Sequence, residues 1–222
     1  MSATDPLIEA IKARDLAAVR RTLDEPSGPS SRVAGRAEPP LLTAIYYRSE
    51  EIIALLLQRG AVPDLFEASA MGDLTRIRSI LAEAPERLST YSFDGWTALH
   101  LAAHYGQLEA MDFLLRTGAS PHSRSTNDLG NTPLHAALAG EQRGAAEALL
   151  KSGAEADAAD AHGHTPLHLA AENGDAQAIR LLLDHGADPS ARSKEGRLPI
   201  DYAAQPGKEA AAELLRRAGA AG

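Results

Sequence analysis

"GHTPLHLAAENGDAQAIRLLLDHGAD" spans residues 163–188, and its reading decides the fold. It occurs twice more upstream in varied form. "GNTPLHAALAGEQRGAAEALLKSGAE" begins at Gly130 and "GWTALHLAAHYGQLEAMDFLLRTGAS" at Gly95, so the starts lie 35 and 33 residues apart. A period of this size marks stacked structural repeats, in which no unit buries its apolar face alone. His100, His135 and His168 therefore share one position. With His162 and His164, His168 also reads as His-x-His-x-x-x-His, a pattern open to zinc because imidazole is a common ligand. Recurrence at the repeat position makes His168 a structural residue first.

Each unit has a physical grammar. Thr97, Thr132 and Thr165 stand where a helix N-cap is wanted, and Pro133 and Pro166 follow in the first turn, where a missing N–H costs little. Leu-x-x-Ala-Ala makes a short helix with a small, close-packing face. Gly106 and Gly174 suit a left-handed end to it. A second helix carries Leu114–Leu115, Leu149–Leu150 or Leu182–Leu183, and Gly118–Ala119, Gly153–Ala154 or Gly186–Ala187 closes it.

These residues resemble the ankyrin repeat, with its Thr-Pro-Leu-His-x-Ala and Gly-Ala-Asp signatures. The resemblance covers nearly the whole chain. A seventh unit begins near Pro199 with Asp201 in the histidine position, and "EAAAELLRRAGAAG" reads as a C-terminal cap. Upstream, Leu42, Phe66 and Ile8 take the histidine position in three further units. Only 24 residues separate the starts at Pro40 and Asp64, so the hairpin between them is almost absent. "DLFEASAMGDL" and "FDGWTALHLAAHYGQLE" are similar to a bacterial ankyrin type. The resemblance implies an all-α ankyrin-repeat solenoid of about seven helix-pair repeats with short β-hairpin or turn fingers. It is read as one domain, 1–222, with capping repeats at about 4–24 and 196–222 and one continuous core. The Pro/Ser/Gly-rich stretch 24–38 is read as an irregular, mobile loop.

Composition narrows the function. The net charge is −8, and residues 139–190 carry nine Asp or Glu against three Lys or Arg. Nucleic-acid binding needs a basic footprint that is missing, whereas this balance favours a basic partner or simply keeps the protein soluble. No cysteine is present, which excludes thiolate metal sites and thiol nucleophiles. No apolar run suits a signal peptide or a membrane span, so the expectation is a cytoplasmic monomer that does not bind membranes. There is no Gly-x-Ser-x-Gly, Walker loop or His-Glu-x-x-His, so no enzyme, cofactor or resident metal is expected.

The resemblance implies partner contacts from finger residues and from the two residues after Ala-Ala. These positions hold Tyr46, Tyr47, Met71, Phe93, Asp94, Trp96, His104 and Tyr105. Five of the nine aromatic residues fall there, and Trp and Tyr are enriched at binding hot spots. The C-terminal half offers a polar set, namely Asp128, Asn131, His162, His164, Glu172 and Asn173. The expected function is a non-enzymatic scaffold or adaptor that binds a protein through its concave face. The alternatives are an inhibitor or regulator of an enzyme, and a small-molecule- or metal-responsive protein using His162, His164 and His104.

Overall fold

The computed structural model describes residues 5–25 and 38–220. Most of the stretch read as a mobile loop, residues 26–37, lies outside the described residues. Among the described residues, fourteen α-helices form seven pairs. The pairs are α1 (Pro6–Lys12) with α2 (Leu16–Asp24), α3 (Pro40–Tyr46) with α4 (Glu50–Gln58), and α5 (Leu65–Met71) with α6 (Leu74–Glu83). They continue as α7 (Ala98–His104) with α8 (Leu108–Arg116), α9 (Pro133–Ala139) with α10 (Arg143–Lys151), α11 (Pro166–Asn173) with α12 (Ala176–Asp184), and α13 (Pro199–Tyr202) with α14 (Glu209–Gly219). The first helices of successive pairs pack on one another, and most second helices do the same behind them.

The threonine and histidine positions do one job together. Thr97, Thr132 and Thr165 are N-caps, and His100, His135 and His168 reach back from the third helical position. The Nε2 atoms of these rings face the carbonyl oxygens of Asn131 (2.9 Å), His164 (3.0 Å) and Arg197 (3.1 Å). A carbonyl only accepts, so Nε2 carries the proton and Nδ1 accepts from the threonine N–H and hydroxyl. Each histidine thus ties one repeat to the residue preceding the next repeat's cap. In the seventh unit Asp201 replaces it, accepting the Leu198 N–H at 2.8 Å.

Between these units run the fingers. Among the described residues they are turns rather than strands, each spanned end to end by a backbone bond: Ser92 N–H to Trp96 O, Ser125 to Asn131, Asp160 to His164 and Ser193 to Arg197. Neighbouring fingers are joined by Thr126 N–H to Gly95 O, Ala161 to Leu129 and Lys194 to His162. Gly163 shows why the tip needs glycine. Its φ is +80°, and a Cβ there would lie 2.7 Å from the Lys194 backbone nitrogen.

Two expectations are corrected. The buried apolar residues form two clusters, not one continuous core: one built largely from Leu7 to Ala70, the other from Leu65 to Leu215. Apolar Ile8 and Leu42 in the histidine slot, together with Phe66, extend the N-terminal cluster, and α5 and α7 supply residues to both sides. The third unit also starts late. Counting back from Gly72 puts Phe66 in the histidine slot, but Asp64 is the N-cap and Glu67 closes the capping box. Asp64 Oδ1 accepts the N–H of Phe66 at 2.7 Å, and Glu67 Oε2 accepts the N–H of Asp64 at 3.0 Å. An Asp-x-x-Glu pair satisfies two free donors that Pro63 could not. Phe66 is left to pack in the N-terminal cluster.

Candidate protein-binding surface

The missing hairpin before α5 shapes the first half of the surface. Tyr46, at the end of α3, reaches past the third unit to the finger before α7. Its hydroxyl donates to Asp94 Oδ2 at 2.5 Å, and its ring lies 6.4 Å from Phe93. Ser92 Oγ donates to the other oxygen of Asp94 and accepts the Trp96 N–H at 3.0 Å. The Asp94 carbonyl takes the Asn127 side-chain amide at 3.0 Å, which fastens this finger to the next.

From Trp96 the aromatic run continues along α7. The His104 ring sits edge-on to Trp96 at 5.4 Å and to Tyr105 at 4.9 Å. Its Nδ1 bonds the Ala136 carbonyl at 3.2 Å. Tyr46, Met71, Trp96 and Tyr105 rest on the N-terminal apolar cluster and are half-buried. Phe93 is 46% exposed and Tyr47 is 36% exposed, at the finger tip and the end of α3. The structure therefore gathers six of the eight aromatic-sector candidates around one seam: Tyr46, Phe93, Asp94, Trp96, His104 and Tyr105. Met71 backs them, and Tyr47 lies at their edge.

Burial sets the protonation states here. It pushes the Tyr105 hydroxyl up to about 12. It raises Tyr46 further, with the Asp94 carboxylate adding to the effect. It also lowers His104, and lowers His100 to about 4, so both rings are neutral at pH 7.

The polar candidates are more scattered. Asp128, His162, Glu172 and Asn173 are exposed, and Asn131 is half-buried. The Asn173 amide donates to Leu138 O at 2.9 Å, binding α11 to α9. The histidines form a real cluster, although not with the partners expected. His162 and His164 stack at 6.0 Å, and His164 Nε2 meets the Tyr202 hydroxyl at 2.9 Å. Tyr202 lies edge-on to His164 and His168, with the Arg197 guanidinium 4.1 Å over its ring. Asp160 Oδ1 accepts the N–H groups of His162 (2.7 Å) and His164 (2.8 Å). Both nitrogens of His168 are occupied by Thr165 and Arg197, and among the described residues no three His, Asp or Glu side chains are arranged to hold a metal ion.

Sequence reasoning missed Asp160 and Tyr202. A signal existed for each. Asp160 stands where the other fingers have Ser92, Ser125 and Ser193, and Tyr202 where the inner helices have Leu101, Ala136 and Leu169. Clefts of about 340, 310 and 200 Å³ are lined mainly by polar and charged residues, for example Glu141, Arg143 and Asp175, and none of these three is lined by Phe, Trp or Tyr.

A family model described as ankyrin repeats (three copies) matches residues 65–160 and 142–221. Protein phosphatase 1 regulatory subunit 27 of Mus musculus is 35% identical over 89 residues, 40% of this chain and 56% of that protein. The 2-5A-dependent ribonuclease of Mus musculus is 35% identical over 79 residues, 34% of this chain and 10% of that protein. The neurogenic locus Notch protein of Drosophila melanogaster is 37% identical over 76 residues, 34% of this chain and 3% of that protein. In all three, the matched stretch is less than two thirds of the relative's length. No helix among the described residues is long and apolar enough to cross a membrane.

Proposed function

The chain belongs to the ankyrin repeat family, and we propose that it is a non-enzymatic scaffold or adaptor that seats a protein partner on its concave face. The observation that carries this reading is the aromatic seam of Tyr46, Phe93, Trp96, His104 and Tyr105. These rings are held by packing and hydrogen bonds yet partly open to solvent. Preordered aromatic surface gives large contact area at little entropic cost, which is how a few residues come to dominate an interface. The exposed polar set, Asp128, His162, Glu172 and Asn173, suits the rim of the same interface, where charge governs approach more than affinity. We read the chain as one domain over 1–222, monomeric and cytoplasmic.

The likeness to a phosphatase regulatory subunit supports one variant, in which the seated partner is an enzyme and binding regulates it. The test is site-specific photo-crosslinking in the native cell. A photoreactive phenylalanine analogue at Phe93 should capture a discrete protein, while the same group at Arg180, exposed on α12, should not. Capture from Arg180 alone would move the interface to the outer helices.

A further inference from the structure

Asp94 is a half-buried carboxylate with an unbalanced charge. Its two hydrogen bonds come from the neutral hydroxyls of Tyr46 and Ser92. Among the described residues, no Lys, Arg or His side chain lies within ion-pair distance of it. Neutral hydroxyl donors do not cancel a carboxylate's charge, and a carboxylate keeps acceptor capacity beyond two bonds. A charge partly removed from water and lacking a counterion is costly unless a cation meets it.

The surroundings suit such a cation. Phe93 is exposed on one side of Asp94 in sequence, Trp96 follows on the same finger, and the Tyr46 ring lies against Phe93. Aromatic faces attract cations, Trp most strongly, and guanidinium groups stack on them while pairing with carboxylates. Arg48 also acts on this face, its field reaching His104 and Tyr105. It disfavours a second cation at that end and leaves the Asp94 end as the place to receive one. Glu67, behind the seam, is pushed up to about 8 by burial and then by the Asp64 carboxylate, so it adds little negative charge at neutral pH. The acidic stretch 139–190 and the net charge of −8 favour approach of a basic segment over longer range.

We propose that the finger carrying Phe93, Asp94 and Trp96 receives an arginine side chain from a basic segment of the protein partner. Its guanidinium would meet the Asp94 carboxylate, and its stem would lie on the rings of Phe93, Trp96 and Tyr46. This rests on the protein-binding reading above and adds the chemistry of the partner to it.

Trp96 is the chain's one tryptophan, so its fluorescence reports directly on the site. The probes are three dodecapeptides of Gly and Ser that carry three arginines, three citrullines or three glutamates at the same positions. Citrulline keeps the shape of arginine and removes the charge. The arginine peptide should shift Trp96 emission saturably, bind at least about tenfold more tightly than the citrulline peptide, and weaken as salt is raised. Asp94→Asn should abolish the tenfold preference. Should that finger loosen in Asp94→Asn, Phe93→Ala, which removes an exposed ring, should still weaken the arginine peptide severalfold. Equal binding of the arginine and citrulline peptides, a salt-independent affinity, or no response of Trp96 overturns the proposal. If these peptides fail while the Phe93 cross-link still captures a protein, the arginine reading falls and the binding reading stands.

Discussion

His168 uses both ring nitrogens on backbone and cap, and His100 and His135 do the same. That bonding needs neutral rings, and burial lowers all three, His100 to about 4 from 6.5. A base with a depressed folded value contributes stability that is present above pH 6.5 and lost as pH falls below it. For His100 alone the loss approaches about 3 kcal/mol by pH 4. Glu67 works in the opposite sense. Its folded value, about 8, lies above the ordinary 4.5, so its neutral form is favoured in the fold, and stability falls as pH rises from 4.5 to 8. Below pH 6.5 three histidines outweigh one glutamic acid, and above it only Glu67 remains. Urea unfolding at pH 4.5, 6.5 and 8.5 should therefore show greatest stability near 6.5. Glu67→Gln should flatten the alkaline limb and steepen the acid one, where Glu67 opposes the histidines. A pH-independent midpoint would remove burial as the cause. The histidine role was legible from recurrence. The buried Glu67 was not, because one residue of late helix start cannot be seen in a repeat aligned on its glycine.

Helix ends were legible in the same way, with one instructive exception. Gly140 looks like another left-handed terminator, but it caps α9 at φ −83°, and Glu141 takes the left-handed slot at φ +57°. Gly140 is glycine because α7 presses on it: a Cβ would lie 2.0 Å from the His104 carbonyl oxygen. That atom belongs to backbone and cannot rotate away. Gly140→Ala should cost about 3 kcal/mol or more, the upper end for overpacking, by forcing α7 and α9 apart. Gly153 has φ +89° and open space around it, so Gly153→Ala should cost only the backbone strain of about 1–2 kcal/mol. Comparable midpoint shifts in urea, with Gly153→Ala as damaging as Gly140→Ala, would contradict this packing. Distances across the stack set these costs, and a one-dimensional repeat pattern does not contain them.

Over the whole molecule, the seven-pair stack followed from periodicity because each unit repeats the same caps and the same small inner face. The division of the core and the reach of Tyr46 to Asp94 across 48 positions did not. Both arise where the pattern breaks, at the omitted hairpin and the apolar residues in the histidine slot. The break is also where the aromatic seam forms, so the irregular part of the solenoid is the part with the most distinctive surface. The regular C-terminal half presents polar tips instead, with Tyr202 completing a histidine cluster that the repeat phase alone could not assemble. We propose that this seam is what holds the protein partner. The most direct measurement is the equilibrium affinity of the cross-linked partner for the wild-type chain and for Trp96→Ala, Tyr105→Ala and Arg180→Ala. The seam variants should each lose about 1–3 kcal/mol of binding with helicity unchanged, and Arg180→Ala should lose none. Full affinity in both seam variants, with a loss on changing Arg180, would contradict the claim.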